Sequence, residues 1–285
     1  MSDIKLKYPN LYLLGFPKCG SSSLFDLLCQ HPNIAGTEPK ETYYLNDKQS
    51  QNYNADVNIN NPHSSWEQFI DVPTVPKYIL EASVNNFYQK TALDYISGLD
   101  DARVIFIIRH PVDRFISTYN YYGANGIFLD PSVDIDEYFY KVKQGELKGH
   151  EAIFYALEHG RYSQYIDKWS DTIGNVKLLV VSLEQLDKNF NETLNSIWSF
   201  LQLQPVTIEK LPQKNKTKPL RYKRLNQFLT KLLGPLNVNM PKLRAMYKKW
   251  NRTAQKETVS EEVRKELYKY YAEEFKRFET YFNPG

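Results

Sequence analysis

The stretch Arg103-Val104-Ile105-Phe106-Ile107-Ile108 constrains the chain more than any other. After its first residue it is apolar at every position, so no polar face alternates with an apolar one. A strand of this kind is buried on both sides, as in parallel sheets covered by helices above and below. Other apolar runs repeat the theme: Leu11 to Leu14, Tyr78 to Ala82, Val176 to Val181, and the very short Ile34-Ala35. Helical periodicities lie between and beyond them. They cover the apolar residues from Leu24 to Leu28, then Thr91 to Leu99, Val112 to Tyr122, Ile135 to Lys143, Ala152 to Trp169 and Leu183 to Leu201. The last runs from Ser260, as N-cap, to about Phe282. Trp66 to Ile70 reads as a short helix, and the Asn-rich Asn46 to Ser65 as a long surface loop. The alternation predicts an α/β fold with a mainly parallel sheet. No repeat or linker divides the chain, which predicts one domain over residues 1–285 with a basic arm at about 206–253 and a C-terminal helix.

The first strand leads into the most informative loop. Gly15-Phe16-Pro17-Lys18-Cys19-Gly20 follows it, then Ser21, Ser22 and Ser23, then the first helix. A strand, a glycine-bracketed loop carrying a lysine, and a helix start together make an anion site. Loop and first-turn N–H groups converge there, the helix dipole favours negative charge, and Lys18 adds a full charge. The loop is not G-x-x-x-x-G-K-[ST], because Ser21 and not lysine follows Gly20, and G-x-G-x-x-G is absent. A bare strand-to-helix turn that needs glycine is the alternative at this point.

Charge is segregated. From Val206 to Thr253 there are 13 Lys or Arg and one acid, a charge of +12 within a chain whose net charge is +3. Such a segment suggests an anionic ligand, with a solvated basic face as the alternative. No apolar run approaches the roughly 18 residues of a membrane span, and the N-terminus MSDIKLKYPN has no hydrophobic signal region. The two cysteines, Cys19 and Cys29, make no disulfide framework, so a reducing, cytoplasmic setting is expected.

Two stretches read together resemble a known family. They are GFPKCGSSSL at Gly15 to Leu24 and RVIFIIRHPVDRFISTY at Arg103 to Tyr119, with Arg109, Pro111, Arg114 and Ser117 at set intervals. The pair resembles the sulfotransferases that use 3′-phosphoadenosine 5′-phosphosulfate (PAPS), especially the carbohydrate and heparan-sulfate type. Lys40-Glu41-Thr42-Tyr43-Tyr44 looks like that family's Lys-Glu-x-x-aromatic segment, and Glu81-Ala82-Ser83 like its Glu-x-Ser/Thr strand end. The sequence departs from the family at Tyr43, often histidine there, and at Ala82, often lysine.

The resemblance implies a P-loop-like three-layer fold and one domain of sulfotransferase type. It implies PAPS as co-substrate, leaving the product 3′-phosphoadenosine 5′-phosphate (PAP), with no metal required. Pro17, Lys18, Cys19, Gly20, Ser21, Ser22 and Ser23 would hold the 5′-phosphosulfate, and Arg109 and Ser117 the 3′-phosphate. Lys216, Lys218 and Arg221 would close over the 3′-phosphate. Lys18 is also expected to act in catalysis by neutralising the leaving group, and Glu41 to act as general base. Glu38 is the alternative base, and a loop carboxylate paired with Lys40 is the plain alternative for Glu41. Among His31, His63, His110, His150 and His159 only His110 is assigned, to the nucleotide site. Arg114 reads equally as ligand-binding or as a structural ion pair, and Tyr119, Tyr121 and Tyr122 as a sugar platform or as core.

The expected acceptor is a hydroxylated molecule, such as an anionic glycan, with neither nucleic acid nor a membrane span as partner. Two other classes stay in play. A kinase-like phosphotransferase would want lysine after Gly20 and a carboxylate for magnesium. A non-catalytic polyanion binder would rely on the +12 segment, and its affinity would fall steeply with salt.

Overall fold

The computed structural model describes residues 8–71, 76–123, 129–209, 220–233, 246–247, 250–253 and 256–284. Packing groups the chain into two compact units. The first takes Met1–His110, Arg161–Lys214 and Glu273–Gly285, and the second Pro111–Gly160 and Asn215–Ala272.

The first unit holds the sheet. Strands β1 (Leu11–Gly15), β2 (Ile34–Gly36), β3 (Tyr78–Glu81), β4 (Arg103–Ile108) and β5 (Leu178–Ser182) pair in the order β2-β3-β1-β4-β5. Every pairing is parallel. The expected parallel sheet is therefore present, with the short Ile34 strand at one edge. Leu11 to Leu14 and Val104 to Ile108 are wholly inaccessible, as strands buried on both faces must be. Gly15 pairs with Ile107, and a Cβ there would lie 2.7 Å from Ile107 Cγ2 and 2.9 Å from its carbonyl oxygen. The β1–β4 contact thus requires glycine where β1 ends.

Helices flank the sheet. In this unit they are α1 (Ser21–Leu28), α2 (Lys90–Ser97), α6 (Tyr162–Ile173), α7 (Leu183–Lys188), α8 (Phe190–Phe200), α11 (Ala272–Arg277, all but its first residue) and α12 (Glu279–Phe282). Phe106 of β4 meets Trp169 of α6 edge-on, and Phe16 packs against Phe87 and Tyr162 with ring centroids 4.4 and 4.5 Å apart. Such contacts join the sheet and its helices into one core.

The second unit contains α3 (Pro111–Thr118), α4 (Ile135–Lys143), α5 (Glu151–Phe154), α9 (Lys223–Leu233) and α10 (Glu261–Tyr270). Phe115 stacks on Tyr138 at 5.1 Å, and Tyr119, Val142, Val263 and Leu267 are buried. Ser260 caps α10, accepting from the Val263 N–H at 3.3 Å, as the sequence predicted.

Several expected helices are broken, each for an identifiable reason. The run from Ala152 to Trp169 splits into α5, a 3₁₀ turn at Glu158–Gly160 and α6. The buried guanidinium of Arg114 takes the Ala156 carbonyl, which removes that acceptor from a continuing helix. The run from Leu183 to Leu201 breaks at Asn189, whose ψ of 49° is non-helical and whose carbonyl accepts from the N–H and hydroxyl of Thr193. The run from Ser260 breaks at Tyr271 and Phe278, two buried aromatic residues with ψ of 16° and 26°. The fourth long strand starts at Leu178 and not Val176, because a 3₁₀ turn, Asn175–Lys177, absorbs the residues after Gly174.

Val112 to Tyr122 becomes α3 plus a π turn at Tyr119–Gly123. The loop from Asn46 to Ser65 is not wholly superficial. Asn46 and Asn58 are inaccessible, the Asn58 amide donating to the Asn46 carbonyl at 2.9 Å.

Candidate active site

In open parallel sheets, ligands bind beyond the carboxyl ends of the strands, where the strand order reverses. Here β3, β1 and β4 are neighbours, and each ends in one of the motifs singled out in the sequence.

Beyond β1 the chain turns sharply. Lys18 has φ 75° and Gly20 φ 94°, and the Cys19 N–H donates to the Phe16 carbonyl at 3.1 Å. Helix α1 starts at Ser21 without a side-chain cap and without an acidic residue in its first turn. The N–H groups of Ser23 and Leu24 both donate to the Gly20 carbonyl, at 3.0 and 3.1 Å. Those of Gly20, Ser21 and Ser22 have no acceptor among the described residues. An uncapped helix start with three open donors, preceded by a lysine, has the donor set for a phosphate-like anion. The expected loop residues divide accordingly. Gly20, Ser21 and Ser22 offer open N–H groups, Ser23 has committed its own, and Pro17 shapes the turn. Cys19 is buried and packs its sulfur 3.9 Å from the Tyr162 hydroxyl.

At the end of β4, Arg109 Nη1 donates to the Lys18 carbonyl at 3.3 Å. The Arg109 carbonyl accepts from the Tyr162 hydroxyl at 2.6 Å. Tyr162 thereby touches both the loop and the strand end, a role its place in a helical pattern did not reveal. His110 donates its backbone N–H to Glu184 Oε1 at 3.0 Å. Its ring lies 4.9 Å from Phe275 and 5.8 Å from Phe282.

Past β3 lies a carboxylate cluster. Glu81 is inaccessible and receives the N–H and hydroxyl of Thr42 at 3.4 and 3.0 Å, the N–H and hydroxyl of Ser83, and the Asn86 amide. Burial pushes its carboxyl above the usual glutamate range, against the pull of the Ser83 and Thr42 donors. The Tyr43 N–H donates to Ser83 Oγ at 2.9 Å, and the Ala82 N–H to the Lys40 carbonyl at 3.2 Å. Residues 40–43 are thus stitched to the end of β3.

This stitching presents Glu41. Lys40 Nζ donates to Glu41 Oε1 at 2.9 Å, and the Tyr43 hydroxyl to Glu41 Oε2 at 2.5 Å. Lys40 also reaches Ser21 Oγ at 3.4 Å and the Ala82 carbonyl at 3.3 Å. The carboxylate and the first residue of α1 therefore share one ammonium group. The Glu41 side chain is 32% exposed, so it is held without being shut away from a substrate. Glu38, the alternative base, is exposed and takes no part in this network. Glu81 lies 39 residues from Thr42, so nothing short of the strand order announced their partnership.

The remaining expected residues belong to the second unit. Ser117 lies on α3. Arg221 donates its N–H to the Asn251 carbonyl at 2.9 Å and, with Tyr222, Arg224 and Lys256, lines an open cavity of about 1110 Å³. Lys216 and Lys218 lie outside the described residues. Arg114 is fully buried and bonds the Ala156 carbonyl, so it serves as structure. Tyr119 is buried too, its hydroxyl bonding the Val133 carbonyl and Glu257, and is core; Tyr121 is exposed. Among the described residues, no three His, Cys, Asp or Glu side chains cluster as a metal site, and no helix is long and apolar enough to cross a membrane.

Known proteins share sequence and fold with this chain. Human bifunctional heparan sulfate N-deacetylase/N-sulfotransferase 2 is 25% identical over 212 residues, covering 70% of this chain and 22% of its own length. Human carbohydrate sulfotransferase 15 is 23% identical over 275 residues, covering 74% of this chain and 48% of its own. The chain thus spans about half or less of these relatives. Among solved structures, a sulfotransferase from Alicyclobacillus acidocaldarius superposes with a TM-score of 0.60 at 19% identity, covering 85% of this chain and 97% of that one. The sulfotransferase domain model matches residues 9–279, and the chain belongs to the sulfotransferase family.

Proposed function

We propose that the chain transfers the sulfuryl group of PAPS to an acceptor hydroxyl. One observation carries the reading. The open N–H cradle at Gly20, Ser21 and Ser22 is tied through Lys40 to a held but accessible carboxylate, Glu41. An anion site beside a base is what in-line transfer to a hydroxyl requires.

When bound, PAPS supplies an activated sulfuryl group. The chain's part is positioning and charge. The three N–H groups and Lys18 hold the 5′-phosphosulfate end and neutralise charge that develops on the leaving phosphate. Arg109, on the neighbouring strand end, takes the 3′-phosphate with its forked guanidinium. Glu41 accepts the proton of the acceptor hydroxyl while Lys40 and Tyr43 hold its oxygens. Ser117, Lys216, Lys218 and Arg221 enter this reading through the sequence resemblance alone.

A carbohydrate acceptor is the substrate class we favour, since the relatives are named for carbohydrate and heparan sulfate. The +12 segment suits an acceptor already anionic. Cys19 and Cys29 form no disulfide, which is compatible with a reducing, cytoplasmic setting, and the proposed transfer needs no metal.

Calorimetric titration with PAP, in buffer containing a chelator, tests the reading. Wild type is expected to bind, with Lys18→Ala and Arg109→Ala each weakening the affinity tenfold or more. A wild-type protein that ignores PAP overturns it.

A further inference from the structure

Lys40 has a position that a loop counter-ion would not need. Its ammonium has three N–H donors, and three partners meet them: Glu41 Oε1 at 2.9 Å, the Ala82 carbonyl at 3.3 Å and Ser21 Oγ at 3.4 Å. The first is a short ion pair, while the other two are long, weak hydrogen bonds. The side chain is 19% exposed, so this cation is largely withdrawn from water, where its field is least screened.

The two ends of its reach are informative. Ser21 supplies one of the open N–H donors of the cradle, and the Lys40 ammonium touches that residue's hydroxyl. Glu41 is the carboxylate beside it. A cation fixed between an oxyanion cradle and a proton acceptor sits where the transferred group must pass from one to the other. Among the described residues Glu41 is the carboxylate paired with it, while Glu81 is sealed among Thr42, Ser83 and Asn86.

The geometry points to Lys40 as a second cation for the sulfuryl group itself, distinct from Lys18 on the phosphate. The inference rests on the reading of the site as a PAPS site. Lys40 gives up its long contact with Ser21 Oγ for a sulfuryl oxygen and keeps its ion pair with Glu41. One ammonium then lowers the charge on the group in transfer and holds the base facing it. No bond to Lys40 forms or breaks; its contribution is electrostatic.

PAP and PAPS differ only in the sulfuryl group, so their affinities isolate this contact without an acceptor. Both are titrated into wild type, Lys40→Met and the double variant Lys40→Met/Glu41→Gln, with thermal unfolding as the check on folding. The expected result is a tenfold or greater loss of PAPS affinity in Lys40→Met, with PAP affinity changed less than twofold. The double variant is expected to retain that loss. Equal weakening of both ligands, or no weakening of either, overturns the inference. So does recovery of PAPS binding in the double variant, which would make Lys40 a counter-ion of Glu41 only. If wild type binds neither ligand, the PAPS reading itself fails, a separate outcome from any of these.

Discussion

Arg109 Nη1 donates to the carbonyl oxygen of Lys18 at 3.3 Å, so the end of β4 is hydrogen-bonded to the loop that leaves β1. The two residues lie 91 positions apart, one in each stretch that carries the family resemblance, and this contact joins those stretches directly. Among the described residues it also leaves the rest of the Arg109 fork available, since a guanidinium has five N–H donors. One side chain can therefore brace the loop and still meet an anion.

The two candidate carboxylates make the first prediction. Glu41→Gln keeps the side-chain shape but cannot accept a proton, and general base catalysis contributes typically about 10²–10⁴-fold. Transfer of labelled sulfate from PAPS to a panel of heparosan and chondroitin oligosaccharides is expected to fall at least a hundredfold, with PAP binding kept. Glu38→Gln is expected to leave transfer unchanged, because Glu38 lies outside the network. Normal turnover in Glu41→Gln removes Glu41 as the base.

Gly20 makes the second. Its φ of 94° suits glycine, and a Cβ would lie 2.9 Å from Leu183 Cδ1. The Leu183 methyl can move aside, so backbone strain dominates, at about 1–2 kcal/mol for a non-glycine residue in this region. Gly20→Ala is expected to lower stability in urea by that amount and to weaken PAP several-fold, since Gly20 N–H belongs to the cradle. Unchanged PAP affinity in a folded variant would separate Gly20 from the anion site.

His159 makes the third, through pH. Burial, and then the positive charge of Arg114, push its pKa down to about 3. The folded value lies below the unfolded value near 6.5, so the unfolded chain binds the proton first. The neutral-histidine contribution is thus complete above pH 6.5 and is lost as pH falls from there toward 3. By pH 5 the loss from this one group is about 2 kcal/mol. Urea midpoints measured from pH 7 to pH 5 are expected to fall in wild type and to fall less in His159→Gln. Parallel slopes for the two proteins would exclude His159 as the source.

Part of this protein was legible in its residues alone. The doubly buried β4, the parallel sheet and the turn from Gly15 to Ser23 are local patterns, written in neighbouring residues. Periodicity and turn chemistry act over a few positions, and a phosphate-type cradle is built within one strand–loop–helix unit. Helix breaks were not legible, because Arg114 taking the Ala156 carbonyl, or Tyr271 and Phe278 turning inward, are contacts between distant segments. The same holds for the proposed base. Glu41 was visible as a residue, but its hold by Lys40 on Ser21, and the anchoring of Thr42 on buried Glu81, exist only because β3 lies beside β1. Strand order is set by how buried faces pack across the whole sheet, and that long-range packing decided which carboxylate stands next to the anion cradle.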